Sequence, residues 1–182
     1  PYAYSNHPFG PFARAALLTG RLSPGNGISD YFDPLPIHAQ TIAHELEKLG
    51  YASGFIGKWH LYKRSKEDPV VGEAHARIVV PSEWRGGFHF WTGFESGFQI
   101  NDPWLHGSDF LVPTKQEGYQ SDVLVEYTIA HLKESAERPR FTVLSLESPH
   151  PPYGADAAGI TAKMQNGLSL RENVPLGGEC EK

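Results

Sequence analysis

One segment sets the architecture of this chain, and it reads Gly50-Tyr51-Ala52-Ser53-Gly54-Phe55-Ile56-Gly57-Lys58-Trp59-His60. Its apolar run predicts a short strand over Tyr51–Ile56, ended by a glycine and followed by a lysine and a histidine. The residues before it predict a helix over Ile37–Leu49, closed by Gly50. The apolar face of that helix comprises Ala39, Ile42, Ala43, Leu46 and Leu49. Helix, glycine and strand follow each other in α/β crossover units, so the segment predicts an α/β fold.

The two polar side chains after this strand suit the chemistry of an anionic ester. In an α/β sheet, ligands bind in the loops beyond the carboxyl ends of the strands. Lys58 is a compact cation that suits a tetrahedral oxyanion, and His60 can exchange a proton near neutral pH. Hydrolysis of an anionic ester is therefore one interpretation. A strand end that carries solvated polar residues is the other.

A second anion-binding feature is predicted near the amino end. Arg14–Arg21 predicts a short helix with Gly20 as its C′ residue, and the turn-rich loop Asn6–Phe12 precedes it. The start of a helix presents unpaired N–H groups and the positive end of the dipole, which attract anions. The dipole would repel Arg14 in the first turn unless an anion or a carboxylate is close. Arg14 is therefore a candidate functional residue, with a plain surface arginine as the alternative.

The carboxyl half predicts a second helix and strand. Tyr119–Glu137 is the longest predicted helix, and its apolar face comprises Val125, Ile129, Leu132 and Ala136. Phe141–Glu147 predicts a strand whose nearly continuous apolar character suits a buried parallel position. His150 lies just beyond that strand, held between prolines. Further on, the sequence predicts only a weak helix over Ala157–Met164.

The segment between these two units is irregular. Tyr62–Val80 is strongly charged and predicts a solvated excursion. Arg85–Phe94 places aromatic residues among glycines, which predicts packing in a small core. Together with Trp104 and His106, the same aromatic residues could instead line a substrate pocket. Both interpretations stay open at this point.

Length, charge and cysteine content exclude several classes of protein. The 182 residues are enough for one domain, and a net charge of −5 without a basic block argues against nucleic acid as a partner. No apolar run approaches the roughly 20 residues of a membrane helix. Cys180 is the only cysteine, which excludes an intrachain disulfide and a cysteine-built metal site. The absence of a starting methionine and the loop-like tail predict a piece of a longer protein.

Three segments in this order resemble the sulfatase family of the alkaline-phosphatase-like superfamily. Arg14–Arg21 is similar to the second half of the first sulfatase signature. Residues 50–61 fit the second signature as Gly-Tyr-x-Ser-x-x-Ile-Gly-Lys-Trp-His-Leu, which is the more specific match. Phe141–Tyr153 is similar to the family strand that ends in Pro-His-x-Pro-Tyr. The resemblance implies an α/β fold: a partial three-layer sandwich with a mostly parallel sheet, truncated at both ends.

The same resemblance implies one incomplete sulfatase domain over residues 1–182. Its parts would be the nucleophile-loop helix with the first strand (1–61), a substrate-side insertion (62–118), a helix and strand ending in Pro-His (119–153), and a tail (154–182). Family members are typically secreted, periplasmic or lysosomal. The expected ligand is a sulfated small molecule or carbohydrate.

The resemblance also implies roles for individual residues. Arg14 would orient and neutralise the nucleophile at the helix start, and Lys58 would bind a sulfate oxygen together with that nucleophile. His60 would hold the nucleophile's hydroxyl and assist breakdown of the covalent sulfate intermediate. His150 would bind sulfate near the leaving oxygen. Two cations and two imidazoles around a tetrahedral anion would stabilise its developing negative charge.

Two departures from the family pattern bear on activity. The first signature begins Cys (or Ser)-x-Pro-x-Arg, and its first residue is converted to formylglycine, the nucleophile. Counting back from Arg14 puts Gly10 in that position and Phe12 at the proline, and glycine has no β-carbon from which an aldehyde could form. The family also implies a calcium or magnesium ion held by carboxylates, but the segments expected to supply them lie outside this sequence. No metal ligand is therefore predicted in this chain.

Three hypotheses follow from these observations. The first is a sulfuric ester hydrolase by family whose present chain is inactive, because Gly10 replaces the nucleophile and the metal-ligand segments are absent. The second is a non-catalytic sulfatase-like protein that binds sulfated ligands. The third is a phosphonate or phosphodiester hydrolase of the same superfamily.

Overall fold

The computed structural model describes residues 4–134 and 137–151. The weak helix predicted over Ala157–Met164 lies outside these residues. The described elements are α1 (Gly10–Thr19), α2 (Ile42–Lys48), β1 (Ala52–Lys58), α3 (Glu73–Ala76), β2 (Phe90–Phe94), β3 (Trp104–Gly107), β4 (Thr114–Lys115), α4 (Gln120–Lys133) and β5 (Arg140–Ser145), with a 3-10 turn over Ser82–Trp84. Within these ranges, no helix is long and apolar enough to cross a membrane.

The strands form one sheet in the order β4-β3-β2-β1-β5. β1 pairs in parallel with β2 on one side and with β5 on the other. The short strands β3 and β4 extend the sheet in antiparallel pairing. Because the three longest strands run in the same direction, their carboxyl ends meet at one edge of the sheet. The structure therefore confirms the predicted α/β class.

Helices cover both faces of the sheet, as a three-layer arrangement requires. Phe55 of β1 packs in a cluster with Ala15 of α1 and Ala43 of α2. The next residue, Ile56, packs in a second cluster with Leu124 of α4. Successive side chains of a strand point to opposite faces, so β1 is anchored in both cores at once.

Glycines allow the strands to approach closely at the end of β1. A β-carbon added at Gly57 would lie 2.2 Å from the Ser145 carbonyl oxygen, and one added at Gly93 would lie 2.1 Å from the Gly57 carbonyl oxygen. Gly57 also has φ +113, a conformation that side-chain-bearing residues rarely adopt. Gly57, the residue before Lys58, therefore allows β1 to lie between β2 and β5 at its carboxyl end. Polar residues of the chain follow at this edge of the sheet.

Two predicted helix boundaries are wrong at their amino ends. α1 begins at Gly10 rather than at Arg14, because Pro11 is in the first turn, where its missing N–H is not needed. Its predicted carboxyl end is confirmed, since Gly20 is left-handed with φ 68. α2 begins at Ile42 rather than at Ile37, directly after the extended residue Thr41.

The apolar face predicted for the long helix is also wrong. Val125, Ile129 and Leu132 are 37%, 45% and 53% exposed, and Ala136 lies outside the described residues. The buried positions of α4 are instead Gln120, Val123, Leu124, Thr128 and His131. This helix carries apolar residues on two faces, so periodicity alone could not choose the one that packs against β1 and β5.

We predict that Thr41→Ala lowers the free energy of unfolding by about 1–2 kcal/mol. The buried Thr41 hydroxyl donates to the Gly86 carbonyl oxygen at 2.6 Å, and its backbone N–H donates to His44 Nδ1 at 3.2 Å, at the start of α2. Urea denaturation would measure the change. Thr114→Ala is the matched control, since that hydroxyl bonds only locally, to Val112 O at 2.9 Å. Equal losses in both variants would contradict the prediction.

Candidate active site

The polar residues of the site follow the carboxyl ends of the three parallel strands. Lys58 ends β1 and His60 lies just beyond it; Glu95 follows β2, and Glu147 lies two residues beyond β5. His60 N–H donates to the Glu95 carbonyl oxygen at 2.7 Å, which continues the β1–β2 pairing past the strands. The shared strand direction therefore gathers these four side chains at one edge.

The start of α1 faces His60. A β-carbon added at Gly10 would lie 3.0 Å from His60 Nδ1 and 3.8 Å from Arg14 Nε. Arg14 Nη1 donates to the Lys58 carbonyl oxygen at 2.8 Å and also to the Ser145 hydroxyl. The Ser145 hydroxyl donates to the same carbonyl oxygen at 2.7 Å. Arg14 therefore fastens the helix start to the ends of β1 and β5.

Lys58 forms a buried ion pair that the sequence did not indicate. Its Nζ lies 2.7 Å from Glu147 Oε1, and the two side chains are 3% and 0% exposed. Glu147 Oε2 accepts a bond from Gln120 Nε2 at 2.9 Å. Burial lowers the pKa of Lys58, and the charge of Glu147 opposes that shift. The pair therefore holds a cation at the site with one carboxylate fixed beside it.

His60 is held in a neutral state. Its backbone has φ 58, and its Nε2 lies 3.3 Å from the Tyr31 hydroxyl. Burial first, and then the positive charges of Lys58 and Arg64, lower the pKa of the imidazole far below its ordinary value. A neutral imidazole with Nε2 bonded to Tyr31 presents its other nitrogen to the space at Gly10.

Glu95 is the second buried carboxyl group at this edge. Its Oε2 accepts bonds from the backbone N–H groups of Leu61 at 3.2 Å and Tyr62 at 3.0 Å. Burial raises the pKa of Glu95 to about 7, although nearby Arg64 and these two bonds act in the opposite direction. The carboxyl group is therefore partly protonated near neutral pH.

His150 lies at the surface near Lys58. Its ring is 4.3 Å from the Phe98 ring, and Lys58 Nζ is 4.5 Å from the centroid of that same ring. His150 Nδ1 is 2.9 Å from the Pro151 carbonyl oxygen. The Phe98 ring thus contacts both His150 and Lys58. The role of His150 in binding stays a prediction.

Trp104 and His106 have structural contacts elsewhere in the sheet. His106 is 1% exposed; its Nε2 accepts a bond from Val80 N–H at 2.8 Å, and its ring packs against Trp91. Burial lowers the pKa of His106 to about 4. The Trp104 ring lies 4.8 Å from the guanidinium of Arg77. Their predicted substrate contacts stay untested, and the burial of Trp91 and Phe94 confirms that the aromatic segment packs in the core.

Sequence reasoning missed several members of the site. The sequence places Glu147 at the end of a predicted strand without indicating a function, and no motif marks Glu95. Both follow a parallel strand by one or two residues, the position at which Lys58 and His60 were recognised. Their position directly after a parallel strand is therefore the sequence signal that could have identified Glu95 and Glu147. Gln120 and Ser145 carried no comparable signal, since their roles depend on contacts between elements distant in sequence.

The described residues do not fit a divalent metal ion. Within residues 4–134 and 137–151, no group of three or more histidine, cysteine, aspartate or glutamate side chains could hold one. Glu95 is bonded to backbone N–H groups, and Glu147 to Lys58 and Gln120. Glu95 Oε2 and both oxygens of Glu147 therefore already accept hydrogen bonds, and the described residues alone do not provide a metal site.

The fold and the site define an α/β protein with a cluster of buried cationic and polar side chains at the carboxyl edge of its parallel strands. Comparison with known proteins identifies the family within this class of protein. The sulfatase family model matches residues 3–172, so the chain belongs to the sulfatase family. A solved structure from Bacteroides thetaiotaomicron glycosaminoglycan metabolism has a TM-score of 0.70 at 22% identity, covering 82% of this chain and 34% of that one. The last match supports the fold.

Individual relatives are similar over most of this chain. An uncharacterised sulfatase of Escherichia coli, YdeN, is 30% identical over 156 residues, covering 77% of this chain and 28% of the relative. The ulvan-active sulfatase of Formosa agariphila is 28% identical over 147 residues, covering 78% and 26%. A protein solved with its substrate D-glucosamine-2-N,6-O-disulfate has a TM-score of 0.61 at 26% identity, covering 81% and 26%. The chain thus spans little more than a quarter of these relatives' length.

Proposed function

We propose that this chain carries the oxyanion-binding half of a sulfatase site, which binds the sulfate ester of a saccharide without hydrolysing it. The observation that carries the proposal is the geometry at Gly10. A side chain there would extend to within 3.0 Å of His60 Nδ1 and 3.8 Å of Arg14 Nε. Position 10, which the family resemblance assigns to the nucleophile, therefore faces His60 and Arg14, the residues assigned to contact that nucleophile. Glycine supplies no nucleophile there.

Binding would depend on donors at the carboxyl edge of the sheet, of which His60 Nδ1 and Arg14 Nε are closest to Gly10. Arg14 supplies the positive charge, and the start of α1 adds backbone N–H groups and the positive end of its dipole. If the Tyr31 hydroxyl donates to His60 Nε2, the imidazole proton is on Nδ1 and can be donated to a sulfate oxygen. The ammonium of Lys58 has donors beyond the one given to Glu147. These groups favour a bound tetrahedral anion.

The absence of turnover follows from the chemistry of glycine. In intact relatives, by family resemblance, a formylglycine hydrate attacks sulfur and a covalent sulfate intermediate forms. Gly10 has no side chain to oxidise, so this route is closed. A sulfated saccharide is the favoured ligand because the relatives named above include an ulvan-active sulfatase and a protein solved with a glucosamine disulfate. We therefore do not expect this chain to hydrolyse a sulfuric ester as other members of the family do.

Calorimetry with glucosamine 6-sulfate would test the proposal, together with a hydrolysis assay on the same ligand with calcium present. We expect binding, no released sulfate, and at least tenfold weaker binding by His60→Asn, since a bond to a charged group contributes about 1.5–3 kcal/mol. Asparagine is chosen because it tolerates the positive φ of this position.

The matched control is His89→Asn, because His89 lies at the opposite end of the sheet and bonds to Ser53 and Glu47. It should bind as the unmodified chain does. Release of sulfate by the unmodified chain would contradict the missing-nucleophile argument. Equal affinity of the His60 and His89 variants would exclude the proposed site.

A further inference from the structure

A group of buried polar atoms beside the site has no hydrogen-bond partner. The side chain of Arg64 is 1% exposed, and its Nε and Nη1 atoms are unpartnered. Glu95 Oε1, 3.7 Å from Arg64 Nε, has no hydrogen bond either, and the same holds for Ser96 Oγ and His75 Nε2, all on buried residues. Leaving a buried polar group unpaired costs about 1–3 kcal/mol, and more for a charged one. Several such groups together therefore indicate a place for a polar ligand.

Arg64 is held in position without using its full set of donors. Its Nη2 donates to the Tyr31 carbonyl oxygen, and its guanidinium lies 4.8 Å from the centroid of the Tyr31 ring. Its Nε is 3.7 Å from Glu95 Oε1, a distance that is close enough for an ion pair but too long for a hydrogen bond. Nε and Nη1 point to different sides of the guanidinium, and Nη1 thus remains available to donate to an oxyanion.

Tyr31 connects this arginine to the site described above. The Arg64 guanidinium lies over the Tyr31 ring, and the Tyr31 hydroxyl lies 3.3 Å from His60 Nε2. The ring also makes an edge contact with Phe9, the residue before Gly10, at 5.8 Å. The Tyr31 side chain therefore lies between Arg64 and the His60 imidazole that faces Gly10.

His75 of α3 completes the group. It is 4% exposed and its Nε2 is unpartnered; burial first, and then the charges of Arg64 and Lys58, lower its pKa. α3 packs beside the segment that follows Glu95, since Gly72 N–H donates to the Gly97 carbonyl oxygen at 2.9 Å and a β-carbon added at Gly97 would lie 2.8 Å from Ala76. A neutral imidazole can donate one hydrogen bond to an anion.

We propose that Arg64 and His75 form a second anion subsite beside His60, so that the site prefers a saccharide with two anionic groups over a monosulfated one. This inference rests on the proposed function, which supplies the first sulfate at Arg14, Lys58 and His60. The second anionic group would accept a hydrogen bond from Arg64 Nη1. The neighbouring Glu95 limits the net charge and can bind a proton as the ligand approaches.

The test compares glucosamine 6-sulfate with glucosamine 2-N,6-O-disulfate by calorimetry. We expect the unmodified chain to bind the disulfate at least tenfold more tightly, and Arg64→Met to weaken binding of the disulfate at least tenfold more than binding of the monosulfate. Because Arg64→Met leaves Glu95 without its cation, the double variant Arg64→Met/Glu95→Gln is measured as well, with Glu95→Gln alone as its reference. Lys63→Met is the control, since Lys63 is exposed and its Nζ lies against the Trp84 ring.

Each outcome separates the two proposals. Loss of the preference in both Arg64 variants, with the preference kept in Lys63→Met, supports the subsite. An unmodified chain that binds both ligands equally, or Arg64 variants that weaken both equally, would overturn it while leaving the proposed function intact. Failure to bind either ligand in a His60-dependent manner would overturn the proposed function, and the subsite with it.

Discussion

Replacing Lys58 by methionine is expected to lower the free energy of unfolding by about 3–5 kcal/mol, the usual cost of removing one partner of a buried ion pair. The reason is the carboxylate left behind. Glu147 is 0% exposed in its side chain, and its Oε1 lies 2.7 Å from Lys58 Nζ. Without the ammonium, Gln120 would be its only described side-chain partner. Urea denaturation of Lys58→Met against the unmodified chain measures the effect.

A double variant separates charge burial from packing. In Lys58→Met/Glu147→Gln both charges are removed, and the new amide oxygen can still accept the bond from Gln120. Neutral replacements of buried pairs often cost little, so we expect the double variant to regain at least half of the lost stability. A double variant as unstable as the single one would show that the shape of Lys58, rather than its charge, matters. Lys48→Met, an exposed lysine paired with Glu45, is the control.

Glu95→Gln is expected to change how stability depends on pH. The pKa of Glu95 is raised to about 7 from an ordinary value of 4.5. The folded chain therefore retains this proton over a pH range in which the unfolded chain has released it. The stabilising contribution is complete below pH 4.5 and is lost as the pH rises to about 7. At 1.36 kcal/mol per pKa unit, the whole change is on the order of 3 kcal/mol.

The measurement is the difference between the unmodified chain and Glu95→Gln in urea denaturation at several pH values. The difference isolates Glu95 because His60 and His106, whose pKa values are lowered, change stability in the opposite direction in both proteins. We expect the stability of the unmodified chain relative to Glu95→Gln to fall by about 3 kcal/mol between pH 4.5 and about 7, and to level off at higher pH. A difference that does not vary with pH would contradict the raised pKa. Glu117→Gln, at an exposed position, controls for the substitution itself.

Both predictions concern the way this site tolerates buried charge. Among the described residues, the cations Arg14, Lys58 and Arg64 are coupled to the carboxyl groups of Glu95 and Glu147, and Glu95 is partly protonated near neutral pH. Buried positive charge that these carboxyl groups do not neutralise is costly unless an anion binds. The electrostatics therefore favour the oxyanion-binding function proposed above.

Local patterns predicted the centre of the fold well and the edges of its elements poorly. The apolar run at residues 51–56 defined β1, because a strand buried on both faces reads as continuous hydrophobicity. The start of α1 was missed, because Pro11 resembles a loop residue although it is tolerated in a first helical turn. The packed face of α4 was missed, because a helix with two apolar faces can pack either way.

Local sequence is sufficient for the α/β class, for the position of Lys58 and His60 after a buried strand, and for the missing side chain at Gly10. These features depend on residue type and on short-range order, which are visible in one segment at a time. Folding in three dimensions is needed to bring Gly10 to face His60, to pair Glu147 with Lys58, and to connect Arg64 to the site through Tyr31. Those contacts join residues far apart in sequence, and the pairing of parallel strands brings their ends to one edge without leaving any local pattern.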